Sequence, residues 1–347
     1  MTLVSILVPA HNAERWIGQT IESALGQTWP HKEIVVVDDG STDRTLHIAK
    51  AFERGNVRVI SQSNAGAAGA RNAAFRHAKG DYIQWLDADD LLHPDKIEQQ
   101  LAVAGRAPGS AALLTSAWGR FFECPDRARL APSSLWETLS PVEWITRKLR
   151  DNTFMFPATW LVGRELIDRA GLWDERLSLD DDGEYMCRLV AHCDRVVFAP
   201  HARCSYRIGN TGSLSWRKSE KAIQSAFLSM TLCIDRLLSL EDSDRTRAAC
   251  LAFVRDAYGL YFPEHKELVV QCQALARSLG GELEPPTERP HFRLFRALFG
   301  WNAAKATRSR IDRTRLRAAR WAERLDANRR IFRLPNSRPP GSRHPNP

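Results

Sequence analysis

The feature that most constrains this chain is an alternation through its first half, in which short apolar runs of β character are each followed by a stretch with helical periodicity. The runs are VSILVPA, EIVVVDD, VRVISQ, YIQWLDADD and AALLTSAW, and the helical patterns between them cover 13–27, 43–54, 68–78 and 94–104. Strand and helix in turn imply βαβ units on a mostly parallel sheet, because parallel neighbours need a long crossover between them. Sheets of this kind bind ligands outside the carboxyl ends of their strands. The polar clusters fall at those ends: PAHN (9–12) after the first strand, DDGSTD (38–43) after the second, SNAGAAGARN (63–72) after the third and DADD (87–90) after the fourth. Four loops are therefore expected to converge on one edge.

The fourth cluster places Asp87, Asp89 and Asp90 within four positions. Two unit charges ~4 Å apart repel by roughly 4 kcal/mol at an effective dielectric near 20, more than a surface ion pair returns, so a cation is implied. If Tyr82–Leu86 is a strand, its alternation makes Asp87 and Asp89 project the same way and turns Asp90 aside as a cap or turn residue. An Asp-x-Asp pair offers hard oxygen ligands to Mg²⁺ or Mn²⁺, ions that recruit substrate phosphates to complete their shell. Such a cation, bridging Asp89 and with it Asp87 to a nucleotide diphosphate, would offset the repulsion and stabilise charge on a departing phosphate.

In DDGSTD, Gly40 permits the turn, Asp39 or Asp38 could accept hydrogen bonds from a base or ribose, and Ser41 or Asp43 caps the next helix. NAGAAGARN has small residues that admit close backbone approach, and it opens a helix whose N-terminus would attract phosphate. Arg71, at its end, either holds a diphosphate or forms an exposed ion pair. A second acidic run, Asp180–Asp182, precedes a helical pattern whose first turn carries Asp181, Asp182 and Glu184, which suits a helix N-terminus. SPVEW (140–144) reads as a capped helix start. Arg207, in YRIGNTGSLS, either meets a phosphate or is a solvated loop arginine. The tryptophans at 118, 136, 144, 160 and 173 are core by default, with Trp160 as a candidate sugar platform.

The net charge of +8 is concentrated in one place. Residues 288–347 hold 16 Lys+Arg against 4 Asp+Glu, a balance of +12 that leaves −4 for residues 1–287. Within this region Arg alternates with Phe, Leu and Trp at helical spacing (288–334), ahead of a Pro/Ser/Arg tail (335–347) expected to be disordered. Such a helix could lie on an anionic membrane surface, pack on the rest of the chain, or bind nucleic acid unspecifically; no recognition module supports the last. Seven cysteines without a C-x-x-C pair argue against a disulfide framework or a zinc knuckle. No apolar run approaches the ~18–20 residues of a membrane span and no cleavable leader is evident, so a cytoplasmic location is expected, with the basic segment allowing peripheral attachment at the inner face of the membrane.

The pieces VSILVPAHN, EIVVVDDGSTDRT, NAGAAGARNAAF, GDYIQWLDADD and GLWDERLSLDDDGEYMCRL resemble, in this order and spacing, family-2 glycosyltransferases of the GT-A fold, over about residues 3–215. The resemblance implies an α/β catalytic domain over 1–218, followed by a helical extension (219–287). It implies that Pro9, Ala10, His11, Asn12, Asp38 and Asp39 line the base and ribose of a nucleotide-diphosphate sugar, that Arg71 lies close to this donor, and that Asp87, Ala88 and Asp89 form its Asp-x-Asp element, with Asp89 the principal metal ligand. Asp182, or Asp181 one position before it, becomes the expected base for a hydroxyl acceptor on a glycan or lipid, attacking with inversion. His11 stands where Tyr is frequent and Asp181 where Glu is frequent. An NAD-type oxidoreductase is the first rival, though its glycine fingerprint should follow the first strand and not the third. A non-catalytic relative that binds nucleotide sugars or membranes is the second.

Overall fold

The computed structural model describes residues 2–104, 112–209, 219–285 and Thr314. The chain divides into two compact units, Met1–Phe121 with Ala128–Glu288, and Phe122–Arg127 with Arg289–Pro347. The first carries both sheets; the basic segment and the tail after residue 334 lie, apart from Thr314, outside the described residues.

The first unit opens with the expected alternation: β1 (Val4–Ala10), α1 (Ile17–Leu25), β2 (Lys32–Asp39), α2 (Thr45–Lys50), β3 (Val57–Gln62), α3 (Gly66–His77) and β4 (Tyr82–Trp85). These strands form a sheet in the order β3-β2-β1-β4, all parallel, closed by the short antiparallel β8 (Val162–Gly163). The apolar runs are nearly continuous because both faces are covered. Leu7, Val35, Val37 and Trp85 point into one core, while Ile6, Val8, Ile34 and Val36 point into the other, as the two-residue period requires. The register pairs Ala10 with Asp38 and Asp39 with Gln62, so the ends of β1, β2 and β3 come out on one edge.

A second sheet follows, built from β5 (Leu91–Leu92), β6 (Ala112–Phe121), β7 (Arg129–Leu130) and β9 (Arg195–Arg207), in the order β5-β9-β6-β7. β6 and β9 pair in parallel with a slip between Ser116 and Ala117, and β5 ties the chain just after Asp90 to Cys204 and Ser205 of β9. Between the sheets and around them lie α4 (Lys96–Ala104), α5 (Pro141–Asp151), α6 (Arg164–Ala170) and α7 (Asp181–His192). Helix α5 starts as expected, with Ser140 accepting a hydrogen bond from the Glu143 N–H, and ends at Asn152 in the left-handed region.

The remaining helices, α8 (Glu220–Leu240), α9 (Asp244–Tyr261) and α10 (Lys266–Ser278), realise the helical reading of 219–279. By length and composition α8, with mean hydropathy 1.2, could match a membrane span, contrary to the expectation that no such stretch exists. Its buried face instead packs on α7, where Ser229 donates to the Asp180 carboxylate at 2.7 Å and the Cys233 thiol to the Gly183 carbonyl at 3.6 Å. No disulfide joins the described cysteines, six of which are buried.

Candidate active site

The loops after β1 and β2 are stitched to each other. Asn12, at φ 50°, donates its N–H to Ser41 Oγ and accepts from the Thr42 N–H through Oδ1 at 2.8 Å. His11 Nδ1 lies 2.8 Å from the Asp39 carbonyl and its Nε2 3.2 Å from the Asn12 amide, which holds an exposed imidazole at the rim. Pro9 is half-buried and Ala10 is buried at the end of β1. Gly40, at φ 68°, turns the chain so tightly that a Cβ there would stand 2.8 Å from the Asn64 nitrogen. Asp43 caps as expected, accepting from the Thr45 and Glu14 N–H groups.

Asp39 spends its carboxylate on the protein. It accepts from the Ala65 N–H (2.8 Å), the Gly66 N–H (2.9 Å) and Gln62 Nε2 (2.8 Å). The start of α3, expected to attract phosphate, is thus already neutralised by an internal carboxylate, the anion that a helix N-terminus favours. Asp38 is buried beside it, one oxygen near the Ser41 N–H and Oδ1 without a partner.

Arg71 leaves α3 as a buried side chain, stacked 4.3 Å over the Trp173 ring. Its Nη2 donates to Asp87 Oδ1 at 2.9 Å and its Nη1 to Asp181 Oδ2 at 2.7 Å. Neither an exposed ion pair nor a fork held open for phosphate, it is a clamp joining the acidic loop after β4 to the first turn of α7. The two carboxylates raise the Arg71 pKa against the opposing effect of burial.

The acidic loop departs from the strand reading. β4 ends at Trp85, and Asp87–Asp90 form a turn closed by the Asp90 N–H to the Asp87 carbonyl, so strand alternation does not decide which way these side chains point. Ala88 is buried, and Asp87 and Asp89 are half-buried. Asp90 is fully buried: its Oδ1 accepts the Arg207 N–H at 2.8 Å, and burial, with the charges of Asp89 and Asp87, pushes its pKa well above the carboxylate range. Arg207 is not solvated. It lies between Trp16 and Phe121, donating Nε to the Asp89 carbonyl and Nη2 to Gln19. Thr20 Oγ1 contacts the Ala88 and Asp90 carbonyls from α1, completing the grip on the loop. Among the described residues no three His, Cys, Asp or Glu side chains form a metal cage. A pair of carboxylates that leaves the rest of the shell to phosphate oxygens and water is the donor set expected of Mg²⁺ or Mn²⁺.

The second acidic run opens α7. Asp180 sits at φ 58° and holds its carboxylate against Ser229, with burial raising its pKa while Lys148 and Ser229 oppose the rise. Asp182, half-buried, has its pKa pushed up to about 7 by burial and by Asp181 and Asp180, with Arg71 opposing. Asp182 and Asp180 line a recess of about 240 Å³ between α5, α7, α8 and α9, whose other walls include Met186, Met230, Phe253 and Lys148. Trp160 is fully buried and packs edge-on to Trp144, so it is no sugar platform; its ring fills the core where the two sheets meet α5. Sequence reasoning missed Lys148, although Trp144, Ile145, Lys148 and Leu149 form one apolar stripe interrupted by a lysine.

Residues 5–168 match the model of the family described as Glycosyl transferase family 2. An uncharacterised glycosyltransferase of Rickettsia typhi is 30% identical over 188 residues, covering 52% of this chain and 56% of the relative. A chondroitin synthase of Pasteurella multocida is 34% identical over 189 residues, covering 53% of this chain and 19% of the relative. The chain thus spans about half the length, or less, of these relatives. Among solved structures, S. aureus TarS (1–349) in complex with UDP-GlcNAc aligns with a TM-score of 0.63 at 20% identity, over 80% of this chain and 81% of that one. The mannosyltransferase PcManGT from Pyrobaculum calidifontis, in complex with GDP-Man and Mn²⁺, aligns with a TM-score of 0.52 at 18% identity, over 92% and 86%. Motif order, sheet topology and these matches agree: residues 5–168 match glycosyltransferase family 2, and the fold is the GT-A fold.

Proposed function

We propose that this chain is an inverting glycosyltransferase that moves a sugar from a nucleotide-diphosphate donor to a hydroxyl on a glycan, lipid or similar cell-surface precursor. The observation that carries the reading is the Arg71 clamp, which brings the Asp87–Asp89 turn and the Asp181–Asp182 turn against one guanidinium although they are distant in sequence. Donor handling and proton removal have to meet at the anomeric carbon, and these two turns would supply them. The nucleotide is assigned to the rim formed by residues 9–12 and 38–39. Asp87 and Asp89 would hold Mn²⁺ or Mg²⁺, which when bound offsets charge on the leaving diphosphate. Nucleotide-sugar complexes of the structural neighbours support the donor class, and a chondroitin synthase among the relatives supports a glycan acceptor.

Asp182 is the base. It takes the proton from the acceptor hydroxyl as that oxygen bonds to the anomeric carbon and the carbon–oxygen bond to the diphosphate breaks, a single displacement that inverts the centre. A carboxylate whose pKa is raised to about 7 is a better proton acceptor than an ordinary one once ionised. Residues 288–334 are proposed to hold the enzyme to an anionic membrane at its cytoplasmic face.

Melting-temperature shifts with UDP or GDP, with and without Mn²⁺, test the donor reading, since a ligand of the folded state raises the transition. Asp89→Asn is expected to lose the Mn²⁺-dependent part of the shift, and Asp182→Asn to keep the shift while losing turnover. A metal-independent shift with NAD and none with either nucleotide would overturn the assignment; turnover unchanged in Asp182→Asn would remove Asp182 as base.

A further inference from the structure

We propose that Lys148 reads an anionic group, a carboxylate or a phosphate, on the acceptor sugar. The proposal rests on the assignment of Asp182 as base and specifies what enters the recess beside it. The recess, about 240 Å³ and just below the roughly 300–1,000 Å³ of drug-sized pockets, suits one sugar ring more than an extended chain.

Its walls are mostly apolar, and Asp180, Asp182 and Lys148 are its charged members. Lys148 is only 7% exposed, yet among the described residues its ammonium has no hydrogen-bond or ion-pair partner; it lies 5.3 Å from the centroid of the Phe253 ring. A residue this buried leaves little of its ammonium in water, and N–H donors that lose water without gaining a partner are costly. The fold treats its other deeply buried lysine differently: Lys96 donates to Gln84 Oε1 at 2.5 Å and to Gln100 Oε1 at 2.6 Å. Lys96 is a satisfied core group, whereas Lys148 is left with unused donors in a cavity wall.

Nor is Lys148 in contact with the acids beside it. The Asp180 carboxylate is taken by Ser229 and packs against Gly183, and Asp182 accepts from the Gly183 N–H. Burial lowers the Lys148 pKa, but Cys187, Asp180, Cys233 and Asp182 together raise it above the ordinary lysine value, so the ammonium stays charged. A cation retained in this way, within the same recess as the proposed base, complements an acceptor that presents a hydroxyl to Asp182 and an anion to Lys148.

The test uses the full chain and three probes: methyl β-D-glucuronide, glucose 6-phosphate and the neutral methyl β-D-glucoside, with binding followed by ligand-detected NMR and UDP·Mn²⁺ binding measured on the same samples. At least one anionic probe is expected to bind roughly tenfold more tightly than the glucoside, and which of the two does so identifies carboxylate or phosphate. Lys148→Met is expected to erase the preference and Lys148→Arg to keep it, both with UDP binding unchanged. Equal binding of all three probes, binding of none, or a preference that survives in Lys148→Met overturns the proposal. If Lys148 serves only as a distant countercharge for Asp182, Lys148→Met would lower turnover on neutral and anionic acceptors alike, and this too overturns it. Loss of UDP binding in the unmodified chain would instead count against the donor reading. Lys148→Arg, together with the melting temperature of each variant, separates misfolding from loss of recognition.

Discussion

Replacing Arg71 by Met removes the guanidinium that touches both acidic turns and leaves Asp87 and Asp181 facing each other without it. Breaking a buried pair from one side costs about 3–5 kcal/mol, because the surviving charge has lost its compensation. The Asp181 side chain is 13% exposed and that of Asp87 28%, so water relieves part of the cost and the lower end, about 3 kcal/mol, is expected. At roughly 2–4 °C per kcal/mol for a domain of this order, the melting temperature should fall by about 6–12 °C. The cause distinguishes this loss from ordinary core damage: if stranded carboxylates are responsible, adding Asp181→Asn to the Arg71→Met variant should recover stability, although Asp181→Asn alone is destabilising. Thermal melts of the two single variants and the double variant form the cycle. Additive effects, or a drop below about 2 °C for Arg71→Met, would show that the clamp does not hold the two turns together.

Two further outcomes follow from the same site. Burial and the neighbouring aspartates raise Asp182 to about 7, and a protonated carboxyl cannot act as a base, so kcat/KM should climb about tenfold per pH unit below pH 7 and level off above it. A flat profile from about pH 5.5 to 8 would contradict the role given to Asp182. A methyl group added at Gly183 would run into the Asp180 carboxylate, so Gly183→Ala should cost about 1–3 kcal/mol by overpacking and reduce turnover more than UDP·Mn²⁺ affinity; steady-state kinetics beside a melting curve would show whether the damage stays in the α7 turn.

How much of this could be read from the residues depended on whether the information was local. The order of strands and helices, and the placing of four polar clusters at one edge, rest on periodicities of two and 3.6 residues, and the parallel register of β1–β4 bears them out. The second sheet was not legible, because β6 and β9 are far apart in sequence and their parallel pairing leaves no local signature. Trp160 failed for a related reason: an aromatic ring serves a core or a sugar equally well, and only the packing against Trp144 decides.

The charged residues divide along the same line, and they show what the acidic edge is built from. Sequence read Asp87 and Asp89 as a pair in want of a cation and Asp90 as a cap or turn residue, and the fold gives each of the three a different fate. Asp90 is buried and tied to the Arg207 backbone, Asp87 shares Arg71 with Asp181, and the Asp89 carbonyl is held by the Arg207 side chain. Two arginines from distant parts of the chain therefore support the shape of the turn, which no strand alternation could fix after Trp85. Gathering carboxylates that repel costs stability, and the two arginines offset that cost. Burial first, and the neighbouring carboxylates after it, raise the Asp90 and Asp182 pKa values, and groups perturbed in this way along one edge are what the proposed cation seat and the proposed base require.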